Sequence, residues 1–186
     1  GALELAAHTL ALSIASLAFQ VPFGIGQAAT IRVGYHFGAG DAAGVGRAGL
    51  VGMVLSQIFA LASAALMVGA PLLVLTPWID TGDAANAPLV ELAVAYLLVG
   101  AAFQLADGLQ AVVLGALRGL QDTRTPMAYA IAGYWPIGFG LAIGLGFNTP
   151  LRGTGVWLGL AIGLLIVAVL LLVRWRRRTQ LGLIAA

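Results

Sequence analysis

Asp107 is a carboxylate with no other charged residue between Glu91 and Arg118. If that run spans a membrane, Asp107 lies deep inside it. A charge at such depth costs about 2.5–3.5 kcal/mol on insertion scales and normally faces protein or a wet cavity. Desolvation favours the neutral acid, so this group can take up a proton on one side of a bilayer and release it on the other. It can equally offer oxygen ligands to a small cation. Gln104, Asp107 and Gln110 recur every three residues, with Gly100, Gly108 and Ala111 beside them. At helical spacing this is a polar stripe with small neighbours, suited to lining a cavity. Gln20 and Gln27 are seven apart and share a helix face around Pro22, while Gln57 stands in the next apolar run. Amides of this kind also hydrogen-bond from helix to helix in lipid, and both readings stand at this point.

Other chemistries find little support. The chain has no cysteine, which removes disulfides and thiolate metal sites. His8 and His36 have no second histidine or carboxylate at ligand spacing, so no metal site is expected. The glycine-rich residues 34–46 have neither a dinucleotide fingerprint nor the Lys-Ser/Thr pair of a phosphate loop. A turn capped by Asp41 accounts for them better. There is no Ser-His-Asp set or carboxylate pair, so neither an enzyme nor a cofactor is expected. The arginine run at 174–178 follows an apolar stretch and reads as a topology signal and anionic-lipid contact rather than a nucleic-acid patch.

The elements that must hold these residues are membrane helices. The 186 residues are 61% hydrophobic and only 9% charged, with a mean hydropathy of +1.01. Soluble domains carry about 25% charged residues, so lipid must surround most of this chain. Five apolar runs reach the length of about 20 residues that a bilayer requires. They cover residues 5–33, 49–75, 89–117, 127–147 and 156–173. The fold class is therefore all-α, a polytopic transmembrane bundle of about five spans. Pro22 and Pro136 fall inside the first and fourth spans, where each removes a backbone donor and marks a possible hinge. The spacing of Gly155, Gly159 and Gly163 gives the fifth span a smooth packing face, with smaller versions at Gly140/Gly144 and Gly115/Gly119. Trp78, Trp157 and Trp175 are expected at the headgroup level.

Arginine placement orients the bundle. With the C-terminus cytoplasmic and five spans, eight of the nine arginines share that side, and Arg152 alone lies opposite. The outer loops hold Asp80 and Asp83. This follows the positive-inside rule and predicts a multi-pass protein of a bacterial inner membrane. The first residue, Gly1, stands almost inside an apolar run, which reads as a fragment.

Several phrases resemble the multidrug and toxic compound extrusion transporters in their bacterial NorM-like branch. They are Ala6-Ala7-His8, then Gln27-Ala28-Ala29-Thr30-Ile31-Arg32-Val33-Gly34 and Gly38-Ala39-Gly40-Asp41. Asp107-Gly108-Leu109-Gln110 and Gly115-Ala116-Leu117-Arg118-Gly119-Leu120-Gln121-Asp122-Thr123 follow. Tyr134-Trp135-Pro136-Ile137-Gly138 and Gly155-Val156-Trp157-Leu158-Gly159-Leu160 complete the series. The resemblance implies helices eight to twelve of a twelve-helix antiporter with two six-helix lobes around a central cavity, the N-terminal lobe lying outside this chain. It implies efflux of cationic, amphipathic drugs in exchange for Na+ or H+ by alternating access. Asp107 then matches an acidic residue of the cation site in the C-terminal lobe, with Gln20, Gln27, Phe103, Gln104 and Gln110 as cavity-lining candidates. The family's sodium-type site has a tyrosine four residues before the aspartate, where this chain has Phe103, and a companion glutamate on the preceding helix, which Glu4 does not match. Two other functions are weighed beside this one: a membrane piece or half-transporter that needs a partner chain, and a lipid-linked saccharide flippase, which would require cationic residues in the cavity.

Overall fold

A computed structural model describes residues 1–185 and, among them, is all-α. Helix α1 runs over Ala2–Gly38, α2 over Ala42–Gly69 and the short α3 over Pro71–Leu75. After a 3-10 turn at Ala84–Asn86 comes α4, Ala87–Gly119. Then follow α5 (Arg124–Ala132), a π-helical segment (Gly133–Phe139), α6 (Gly140–Phe147) and α7 (Arg152–Arg176). Five helical segments are long and apolar enough to cross a membrane, the fourth being α5, the π segment and α6 taken together. The chain is a multi-pass membrane protein.

Helix α4 is the axis of the bundle, and α1, α2 and α7 all pack on it. Its partner along most of its length is α1, which runs parallel: Thr30 Oγ1 donates to Gly115 O at 2.9 Å, and Gln104 Nε2 to Ala15 O at 3.4 Å. Small residues make the approach close. A Cβ built on Gly26 would sit 2.9 Å from Ala111 O, and one on Gly115 or Gly119 would strike the backbone of Gly26 or Thr30. Between membrane helices lipid supplies no hydrophobic drive, so backbone proximity and packing must hold the pair. Helix α2 is antiparallel to α4 and is fastened by Ser56 Oγ to Gly108 O (2.9 Å) and Gln57 Nε2 to Leu105 O (3.1 Å). The expected glycine face of α7 packs as predicted: added methyls at Gly159 and Gly163 would meet the backbones of Ala142 and Gly138. Gly140 and Gly144 instead face open space, because the opposite side of that span carries the packing.

The prolines behave differently from one another. Pro22 is buried in an uninterrupted α1, with its ring near the position a methyl on Gly108 would take. Pro136 lies inside the π segment, the form a helix takes when an extra residue is fitted around a missing N–H. The second apolar run, read as continuous over residues 49–75, is broken at Ala70, because Pro71 cannot continue the α2 hydrogen-bond ladder and begins α3 instead. Two of the three tryptophans are also covered by protein. Trp157 and Trp175 are each 4% exposed. Helix α7 begins at Arg152, more than a turn before Trp157, and Trp175 lies against Gly49 of α2.

The two ends of the bundle differ in charge. The eight arginines grouped by the sequence gather at one end, where Arg174 Nε donates to Asp122 Oδ2 at 2.5 Å and Arg174 Nη2 to Asp122 Oδ1 at 3.0 Å. This buried fork ties the α4–α5 loop to α7. Arg152, near Glu4 at 3.8 Å, marks the other end. Between α1 and α2, Asp41 caps α2 by accepting from Gly44 N at 2.7 Å and pairs with His36 Nδ1 at 3.0 Å.

Gly115→Ala should destabilise the protein by about 1–3 kcal/mol through overpacking, whereas Gly24→Ala, at a position with open space, should not. Thermal melting in detergent reads the difference, and equal midpoints would refute the close α1–α4 contact. A second expectation concerns pH. The Gly44 N–H, and after it His36 and Arg47, hold the Asp41 carboxyl below its ordinary value. A depressed acid contributes stability that is fully present above its unfolded pKa and is lost as pH falls through the folded one. Asp41→Ala should therefore melt earlier than the parent at neutral pH, with the gap closing in acid. A gap that persists at the lowest pH would argue against the charge as its source.

Candidate functional site

The middle of α4 faces a cavity of about 520 Å³ between α1, α4, the π segment and α7. Asp107 lines it, half-buried, and among the described residues is its only carboxylate, with no arginine in the wall. Tyr134 of the π segment lies near both Asp107 and Gln110. Aromatic rings form much of the wall. Trp157 meets His8 at a centroid distance of 5.5 Å and Phe103 edge-on at 6.1 Å, and Phe19 adds a further ring from α1. One carboxylate among aromatic faces suits an amphipathic cation, which ring quadrupoles and the acid attract together.

The glutamines of the sequence reading disperse. Gln20 lines this cavity, its Nε2 3.4 Å from Ser16 O one turn earlier. Gln27 and Gln110 line a smaller space of about 160 Å³ nearer Arg118. Gln104 is only 2% exposed and turns into the α1–α4 contact, where its Oε1 has no donor. It is interhelical packing rather than cavity wall. The reason is geometric: steps of three residues fall short of a 3.6-residue turn, so the stripe drifts and its members face different neighbours. Phe103 does face the cavity and brings a ring but no hydroxyl.

Sequence reasoning missed His8, Phe19, Tyr134 and Trp157 as cavity wall. A signal for part of this was present. His8, Leu12, Ala15, Ser16 and Phe19 follow helical spacing on α1, as do Trp157, Leu160 and Leu164 on α7. Tyr134 had none, because nothing in the spacing of its own run says which helices that run packs against.

A polytopic α-helical membrane protein with an open cavity between its helices is the class these observations define. Residues 1–143 match the MatE family, and the chain belongs to that family. It is 47% identical over 179 residues to the probable multidrug resistance protein NorM of Mesorhizobium japonicum, covering 96% of this chain and 38% of the relative. It is also 47% identical over 186 residues to the multidrug resistance protein NorM of Burkholderia vietnamiensis, covering 100% and 40%. The crystal structure of the eukaryotic MATE transporter AtDTX14 superposes with a TM-score of 0.85 at 26% identity, covering 94% of this chain and 38% of that one. The chain thus spans about two fifths of the length of these curated relatives.

Replacing Gln104 by Met, similar in volume, removes one long hydrogen bond together with an unpaired buried oxygen. The net change should stay below about 1 kcal/mol. A much larger drop in melting midpoint would mean that the amide oxygen has a strong partner.

Proposed function

We propose that this chain forms part of the C-terminal lobe of a multidrug efflux secondary transporter in a bacterial inner membrane, its C-terminus cytoplasmic. The transporter exchanges Na+ or H+ for cationic, amphipathic compounds by alternating access. Asp107 binds the coupling cation or proton, and the aromatic wall receives the drug. The observation that carries this reading is the single carboxylate among the described residues of an aromatic-lined cavity at the middle of α4. The multidrug resistance names of the NorM relatives support the substrate class. The gathering of eight arginines at one end supports the orientation. A saccharide flippase is less well supported, since no arginine lines the cavity.

Ion and drug are coupled because neutralising Asp107 removes the charge that attracts both. Loading a proton or Na+ weakens the hold on a cationic drug, and by reciprocity the drug weakens the hold on the ion. Pro22 and Pro136 are the hinge candidates; of the two, Pro136 has the stronger support because it sits in a π segment.

Asp107→Asn, made in the protein at its full natural length, should abolish dye efflux driven by an imposed Na+ or pH gradient. Efflux at the parent rate, at equal membrane abundance, would overturn the assignment. Whichever gradient drives the parent identifies the ion.

A further inference from the structure

Helices α2 and α7 both pack on α4 but leave a cleft between themselves, bridged by Trp175 lying against Gly49. At the arginine-rich end this cleft opens into a pocket of about 500 Å³. Its mouth carries three guanidinium groups, Arg47, Arg176 and Arg178. Its floor, about one to two turns deeper, is made of Leu50, Met53 and Leu172. Leu50 is 59% exposed, and small residues at 42, 43 and 46 keep the mouth wide.

The cations here are under-compensated. Arg174, their neighbour, is neutralised by Asp122, and Arg47 has only Asp41 at 3.9 Å, which is itself engaged by Gly44 and His36. Arg176 and Arg178 have no ion-pair partner among the described residues. The Arg178 guanidinium is held 4.6 Å above the Trp175 ring, with Nη1 donating to Trp175 O at 3.1 Å. Its Nε is buried and has no acceptor. A buried donor without a partner is costly, and guanidinium matches a phosphate fork better than any other side chain. Burial also pushes the Arg178 pKa down, a cost to its charge that a nearby anion would relieve.

We propose that the cleft between α2 and α7 is a binding site for one anionic phospholipid, its phosphate held by Arg47, Arg176 and Arg178 and an acyl chain laid over Leu50, Met53 and Leu172. The order of the lining is that of a phospholipid: charge at the membrane edge, an aromatic ring just inside, and aliphatic wall beyond. A free anion would use the mouth alone and leave the floor bare.

The test uses purified full-length protein in neutral detergent and fluorescent phosphatidylglycerol, with unlabelled phosphatidylglycerol, phosphatidylcholine and inorganic phosphate as competitors. Each basic side chain near a lipid phosphate contributes about a five-fold effect on affinity. Arg176→Gln/Arg178→Gln should thus weaken phosphatidylglycerol binding about 25-fold. Arg124→Gln/Arg177→Gln removes the same charge from exposed positions outside the pocket on the same end and should change it far less. Leu50→Trp, which keeps every charge but fills the floor, should also weaken binding. Phosphatidylcholine should compete poorly. Equal losses in the two double variants would reduce the effect to diffuse attraction and overturn the site. Unchanged binding in Leu50→Trp, or displacement of the label by millimolar phosphate as complete as by phosphatidylglycerol, would overturn the lipid.

Discussion

The bundle depends on one contact, the backbone approach of α1 to α4. Lipid is as apolar as the side chains it touches, so these two helices gain nothing by hiding leucines from it. They gain by coming close enough for main chain to meet main chain. Gly26, Gly115 and Gly119 allow that, and Thr30 fastens it, its hydroxyl lying 3.0 Å from Gly26 O and 2.9 Å from Gly115 O. With α1 and α4 fixed in register, the remaining helices have a defined place to go. Helix α2 reaches α4 through Ser56 and Gln57, and the buried residues Val112, Val113, Ala116 and Leu117 complete the seam with α7.

The cavity follows from what this contact does not fill. About a quarter turn round α4 from the Gly108 that meets Ser56, Asp107 lines a cavity with rings from α1, α7, the π segment and α4 itself. Large side chains at His8, Phe19, Phe103 and Trp157 prop these elements apart. The same helix therefore supplies both the rigid seam and the carboxylate that lines the cavity. A carboxylate on a mobile loop could not be kept at that depth, since each exposed backbone group would need a partner that lipid cannot give.

Much of this was legible in the residues. Five long apolar runs can only be membrane helices, and the depth of Asp107 follows from counting along its run. The Gly159/Gly163 face was readable because glycine at helical spacing has one main use in lipid. The helical parity implied by the arginines matches the end at which they gather. What was not legible depends on direction rather than type. Gln104 and Asp107 differ by three residues and look alike in sequence, yet one is sealed between helices and the other lines a cavity. Pro71 could be seen as a breaker, but not that a second short helix would follow it. Tyr134 stands at the start of a π segment that packs on α7, and periodicity along one helix does not say which neighbour that segment meets.

The crossing of α1 and α4 also bears on how such a sequence can drift. Every base substitution in a glycine codon that changes the amino acid adds at least a Cβ, and at Gly26 and Gly115 a Cβ already meets backbone. Backbone, unlike the end of a flexible side chain, cannot step aside without moving a whole helix. These two codons can therefore vary silently but not in meaning, while leucines such as Leu61 of α2 and Leu165 of α7, more than half exposed on this chain, meet no such backbone limit. The tolerance of a position in this fold is thus set by its distance from another helix's main chain, which is a steric limit and not one of hydrophobicity.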